Sequence, residues 1–172
     1  MSEIVKIASF EQRVLAMDGS GSLGCYSFDT KISGNCVFNL KKAGIVDFCM
    51  ITPTIYGFIT NNSIQVYDTL LHPKRQNIFK IQLSQQPSFI TSFLEEKIVV
   101  GRKNELLFYD IRMDVQEETR DVESKIRYLT SNHQNKILAG RSDGKVKIFD
   151  VNDKNRDYEV KCSRGLGKNE IT

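Results

Sequence analysis

With 172 residues, 26% of them charged and 40% hydrophobic, the chain has the balance of a globular protein with a sizeable core, which excludes a disordered polyelectrolyte. Its net charge of +3 is small, and acidic and basic residues are interspersed, so charge alone dictates neither nucleic-acid nor membrane binding. Met1-Ser2-Glu3-Ile4 opens without an apolar signal core, and no apolar run approaches the roughly 20 residues of a membrane-spanning helix; a soluble, cytoplasmic protein is expected.

Short runs rich in β-branched and aromatic residues, separated by polar turns, predict strands from end to end. The first group is Ile4 to Phe10, Arg13 to Met17, Leu23 to Phe28 and Asn35 to Leu40. Gly19 to Gly24 in its central turn fits G-x-G-x-x-G, but Cys25-Tyr26-Ser27-Phe28 continues as a strand. A dinucleotide site needs a helix there, so a hairpin is expected. The second group is Gly44 to Met50, Ile55 to Thr60, Ser63 to Tyr67 and Asn77 to Leu83, with Thr69 to Arg75 inserted before its last strand. The third is Ser88 to Leu94, Lys97 to Gly101, Leu106 to Ile111 and a weakly defined strand near Met113 to Glu117. The acidic segment Gln116 to Glu123 reads as a solvated edge strand or loop. Lys125 to Thr130, Lys136 to Gly140, Lys145 to Val151 and Tyr158 to Cys162 form the fourth, and residues 163–172 read as a flexible C-terminal tail.

The third strand of each group is read as ending in an aromatic-Asp pair. Phe28-Asp29, Tyr67-Asp68, Tyr109-Asp110 and Phe149-Asp150 lie 39, 42 and 40 residues apart, the period of one propeller blade. The expected fold is therefore all-β, a propeller of about four blades of four antiparallel strands, at about 1–43, 44–84, 85–122 and 123–162. Since propellers carry about 4–8 blades, the ring is expected to be incompletely closed, or completed by blades from another chain or from sequence beyond these residues. The aspartates are expected to make the same strand-end hydrogen bond in each repeat.

No constellation for chemistry stands out, and neither enzymatic activity nor a cofactor is expected. His72 and His133 fall in predicted turns without partners at metal-ligand spacing. Cys25, Cys36, Cys49 and Cys162 show no C-x-x-C spacing and read as reduced thiols. The turns between second and third strands should lie around one face, bringing Arg102 and Lys103 beside Arg141 and Lys145 as a basic arc suited to an acidic protein partner. Nucleic acid is not expected, because no aromatic cluster with a basic surround is present.

Ser142 to Asp150 resembles the terminal consensus of the WD40 repeat, with Phe149 where that consensus most often has Trp; the chain contains no Trp at all. Within such propellers, Val66-Tyr67-Asp68-Thr69-Leu70-Leu71-His72-Pro73 resembles the C-terminal propeller of the rabconnectin/DmX proteins, relatives of the large subunit of the RAVE complex. Val99 to Lys103 followed by Phe108 to Arg112 is similar to the same family, with Val100 in place of its second glycine. The resemblance implies a non-enzymatic scaffold in vacuolar proton-ATPase assembly, with pump and RAVE-type subunits as partners and a location peripheral to endosomal or vacuolar membranes. The alternative is a scaffold in a ubiquitin-ligase, trafficking or cytoskeletal complex.

Overall fold

The computed structural model describes residues 3–28, 34–41, 44–113 and 115–161. Among these residues, sixteen strands fall into four sheets. Blade 1 comprises β1 (Ile4–Phe10), β2 (Arg13–Asp18), β3 (Ser22–Phe28) and β4 (Gly34–Lys41), and blade 2 comprises β5 (Ile45–Met50), β6 (Ile55–Thr60), β7 (Ser63–Asp68) and β8 (Asn77–Gln82). Blade 3 holds β9 (Phe89–Phe93), β10 (Lys97–Arg102), β11 (Glu105–Asp110) and β12 (Val115–Asp121), and blade 4 holds β13 (Ile126–Ser131), β14 (Lys136–Arg141), β15 (Lys145–Asp150) and β16 (Tyr158–Lys161). Each sheet is an antiparallel meander of four strands in sequence order. Together they form a four-bladed β-propeller that is not closed. The predicted tail and Cys162 lie outside the described residues.

Alternation along each strand sends side chains to both faces of a blade, and both faces of the middle blades are buried. Leu15, Met17, Leu23 and Cys25 of blade 1 pack on Phe48, Met50, Tyr56 and Phe58 of blade 2. The other face of blade 2, with Cys49, Ile59, Ile64 and Val66, packs on Ile90, Ile98, Val100, Leu107 and Tyr109 of blade 3. Phe93, Val99, Leu106 and Phe108 then meet Ile126, Leu129, Ile137, Ala139 and Phe149 of blade 4. Each Val, Leu, Ile, Phe or Met among them contributes about 1.5–3 kcal/mol on burial. The core is thus three inter-blade layers, and no single blade holds one of its own.

The acidic segment is an edge strand, but it is not wholly solvated. Arg120 and Val122 are buried between blades 3 and 4, because the inward residues of the outer strand reach the neighbouring blade.

The register corrects the first aromatic-Asp pair. The first residue of the second strand pairs with Asp68, Asp110 and Asp150 in blades 2, 3 and 4, through Ile55, Lys97 and Lys136, but in blade 1 Arg13 pairs with Ser27. Tyr26-Ser27 therefore occupies the repeat position, and the register shift that follows the fourth residue of β3, β7 and β11 falls before Tyr26, Tyr67 and Tyr109 alike. The spacing misplaced the pair by two residues because β3 runs on past the point where the other third strands stop; Asp29 lies outside the described residues.

Candidate interaction face

In a four-strand meander, the turns between second and third strands share one end of the blade with the connectors to the next blade. That end is laced by backbone hydrogen bonds: Ser88 N–H donates to Gly101 O at 2.9 Å, Val122 N–H to Asn104 O at 2.7 Å and Ser142 N–H to Lys125 O at 2.9 Å. Ile126 N–H donates to Lys103 O at 2.7 Å, and Ile126 is the register partner of Arg141. The turns bearing Arg102 and Lys103 and Arg141 and Lys145 are thereby tied through the start of β13, as their repeat positions imply.

Their charges are another matter. Arg102 Nε donates to Glu105 at 2.9 Å, and Lys145 Nζ lies 2.6 Å from Glu159. Arg141 is buried and contacts Asp143, Glu159 and Glu123. Burial works against the Arg141 charge, but Asp143 and then the other two carboxylates more than offset it and raise its pKa. Three of the four expected cations are therefore internally neutralised. Lys103 is exposed, with a backbone φ of 49° and no ion-pair partner among the described residues. Lys125 and Arg127 are exposed and unpaired in the same sense. The open basic surface thus follows Lys103, Lys125 and Arg127 around the Ile126 anchor, and the sequence reading missed it because two of the neutralising carboxylates, Glu123 and Glu159, come from a connector and an outer strand remote in sequence.

The aspartates at the opposite end behave as expected in three blades. Asp68, Asp110 and Asp150 each accept from the backbone N–H two residues on, in Leu70, Arg112 and Asn152, at 2.9 Å. Asp110 also holds the Arg112 guanidinium at 2.7 Å, and Asp150 holds Lys136 at 2.7 Å. The Arg112 contact is the main reason that the Asp110 carboxyl is pulled down to about 2. Lys136 likewise lowers Asp150, and Lys147 lowers Glu123. These carboxyls have folded pKa values below their unfolded ones, so their contribution is complete above about pH 5 and is lost as pH falls toward about 2. The urea midpoint is expected to stay flat from neutrality down to about pH 5 and then to drop. Asp110→Asn should be less stable at neutral pH and show a shallower acid slope; an unchanged slope would remove Asp110 from this account.

Around the axis, the first strands carry a polar network that the sequence did not reveal. Asp47 on β5 is buried, accepts from Ile90 N–H on β9 at 2.9 Å and pairs with Lys6 on β1. One carboxylate therefore links three blades. Lys6 Nζ also reaches Phe48 O at 3.2 Å and sits 5.2 Å from the Phe48 ring centroid. Toward the other end, Ser92 donates to Met50 O at 2.6 Å and lies 3.1 Å from His133 Nδ1, while Ser131 donates to Ser92 O. His133 is thus a turn residue, at φ 59°, that also ties blade 4 to blade 3. A cleft of about 190 Å³ lies beside this network, lined by Ile7, Phe48, Thr91, Tyr128 and His133 among others.

The remaining candidates are structural in form. Gly19 to Gly24 makes a hairpin, with Asp18 accepting from Ser20 N–H at 2.9 Å and Ser22 N–H at 3.0 Å, and no helix follows. His72 caps the short 3₁₀ turn Pro73–Arg75 by accepting from Lys74 N–H at 3.4 Å. Cys25 and Cys49 are buried free thiols, and burial, followed by the Asp47 charge, pushes Cys49 up to about 12, which removes it from thiolate chemistry near neutrality. Among the described residues, no three His, Cys, Asp or Glu side chains cluster as metal ligands, and no helix is long and apolar enough to cross a membrane.

No family model matches the chain, and no curated protein matches it. Solved structures do. Chaetomium thermophilum Sqt1, in a structure bound to the N-terminus of the ribosomal protein L10, aligns over 92% of this chain and 49% of its own at 14% identity, with a TM-score of 0.70. The computationally designed Ika8 protein aligns over 91% of this chain and 49% of its own at 18% identity, with a TM-score of 0.69. The chain spans about half the length of the structures it matches, and what its four blades share with them is the β-propeller fold.

Proposed function

We propose that the chain is a non-enzymatic protein-interaction scaffold that engages an acidic partner segment through Lys103, Lys125 and Arg127. The observation that carries this reading is the turn face itself: a rigid, backbone-laced surface on which these cations stay exposed while their neighbours Arg102, Arg141 and Lys145 are neutralised. The shared fold with Sqt1, whose solved structure holds a peptide segment of another protein, supports it.

In its finer form the scaffold acts in the cytoplasm, at vacuolar or endosomal membranes, in proton-ATPase assembly with RAVE-type subunits. The support is the resemblance of Val66 to Pro73 and of Val99 to Arg112 to the rabconnectin/DmX proteins. Val66 to Pro73 and Phe108 to Arg112 map to the ends of β7 and β11 and to the turns that follow, at the end of the blades opposite Lys103, whereas Val99 to Lys103 ends in the turn that carries Lys103.

Titration of purified proton-pump and RAVE-type subunits against the chain tests both levels. Binding is expected to weaken by about 10- to 100-fold on Lys103→Glu with Lys125→Glu, and to fall with salt, as for a charge-steered interface. Binding that ignores both substitutions would dismiss the cationic surface. No binding by any of these subunits would dismiss the proton-pump role and leave the scaffold reading to other acidic partners.

A further inference from the structure

The three junctions between blades obey one positional rule. The third and fifth residues of each second strand, and the second and fourth of each third strand, point at the following blade. In blade 1 these are Leu15, Met17, Leu23 and Cys25, all buried. In blade 2, Ile59, Ile64 and Val66 are buried, and a Cβ on Gly57 would meet Ile90 of blade 3 at 3.3 Å. In blade 3, Val99, Leu106 and Phe108 are buried, and a Cβ on Gly101 would meet Ile126 of blade 4 at 3.3 Å.

Blade 4 carries the same kind of residue at the same positions: Leu138, Gly140, Val146 and Ile148. All are only half-buried, since no blade covers them among the described residues. The rows they belong to run Thr130-Leu138-Ile148-Tyr158 and Tyr128-Gly140-Val146-Val160 across the sheet, without a charged side chain. Tyr128 and Tyr158 are 62% and 51% exposed there.

The opposite flank of the molecule is open as well. In blades 2, 3 and 4 the second and fourth residues of the second strand face the preceding blade, as Tyr56 and Phe58, Ile98 and Val100, and Ile137 and Ala139. In blade 1 those positions hold Val14 and Ala16, with Ile7 opposite Ala16 and Tyr26 opposite Val14. Ile7 is 61% and Tyr26 37% exposed. One flank therefore has the form of a blade lacking its successor, and the other the form of a blade lacking its predecessor.

We infer that two copies of this chain close a ring, the Leu138–Ile148 flank of each packing on the Val14–Ala16 flank of the other. Such contacts repeat the head-to-tail mode of the internal junctions, and a two-fold axis closes both at once. Size agrees, because four blades cover 49% of either matched structure and a second copy supplies the other half. Both flanks are uncharged in these rows and offer no edge strand, so burial of side chains is what drives closure.

Sedimentation of the purified chain across a dilution series tests the inference. A mass of twice 19.6 kDa is expected, with no larger species. Ile148→Lys and, separately, Ala16→Glu should each raise the midpoint of dissociation by about 100-fold or more, and the doubly substituted chain should recover part of the loss through the opposed charges. Circular dichroism of each variant checks that the blades remain folded. Three results overturn the inference: a monomer at all concentrations, which would leave the flanks to blades of another protein; open filaments; or a dimer broken by Ile148→Lys but indifferent to Ala16→Glu, which would make the contact blade 4 on blade 4.

Discussion

Asp47→Ala is expected to destabilise the chain by about 1–4 kcal/mol, with loss of the urea midpoint at an unchanged slope. Two effects add. Ile90 N–H, buried at the junction of blades 2 and 3, loses its acceptor, which costs about 1–3 kcal/mol. Lys6 loses its partner too, and its side chain is 38% exposed, so solvent takes up much of that charge and the share is about 1 kcal/mol or less. Asp47→Asn keeps an acceptor for Ile90 and removes only the charge, so it should recover more than half of the loss. A double-mutant cycle with Lys6→Met separates the two shares. An Asp47→Ala variant as stable as the parent would show that the inner-strand carboxylate does not hold the blades together.

The second large effect is at the junction of blades 3 and 4. Phe108→Ala should cost about 3–5 kcal/mol, the range for removing a buried aromatic ring from a packed core. Phe108 is 3% exposed, meets Phe93 edge-on with ring centroids 5.6 Å apart, and has the Arg120 guanidinium 5.1 Å above its face. Arg120 is itself held by Glu118 at 2.9 Å, by Asp150 O at 2.7 Å and by Asp157 at 3.4 Å. It therefore bolts the outer strand of blade 3 onto the third strand of blade 4. Arg120→Met keeps the stem over the ring but leaves Asp150 O and Asp157 without it, at a cost of about 1–3 kcal/mol. Since Phe108 and Arg120 touch, their losses should not add: the double variant should fall short of the sum by more than about 0.5 kcal/mol. Strict additivity would mean that the guanidinium gains nothing from the ring.

Hydrogen exchange offers a broader check on these two sites. With the core divided into three inter-blade layers, Phe108→Ala should release amides of β14 and β15 before those of β6 and β7.

The amino-acid sequence by itself determined the strands, their meander order and the blade period, because these depend on local alternation, on turn residues and on Asp side chains that bond their own backbone two residues on. It also placed the two turns bearing Arg102, Lys103, Arg141 and Lys145 at one end of neighbouring blades. Only the tertiary structure decided which of those cations are free, since Glu123 and Glu159 arrive from a connector and an outer strand 18 residues from Arg141 on either side. The same holds for the Asp47 link between three blades, for the buried Arg120, and for Tyr26-Ser27 in place of Phe28-Asp29, where hydrogen-bond register overrides spacing. The physical reason is common to all of them. A blade is specified by neighbours along the chain, whereas the pairing of its charges and the covering of its faces depend on groups brought together by the stacking of separate sheets.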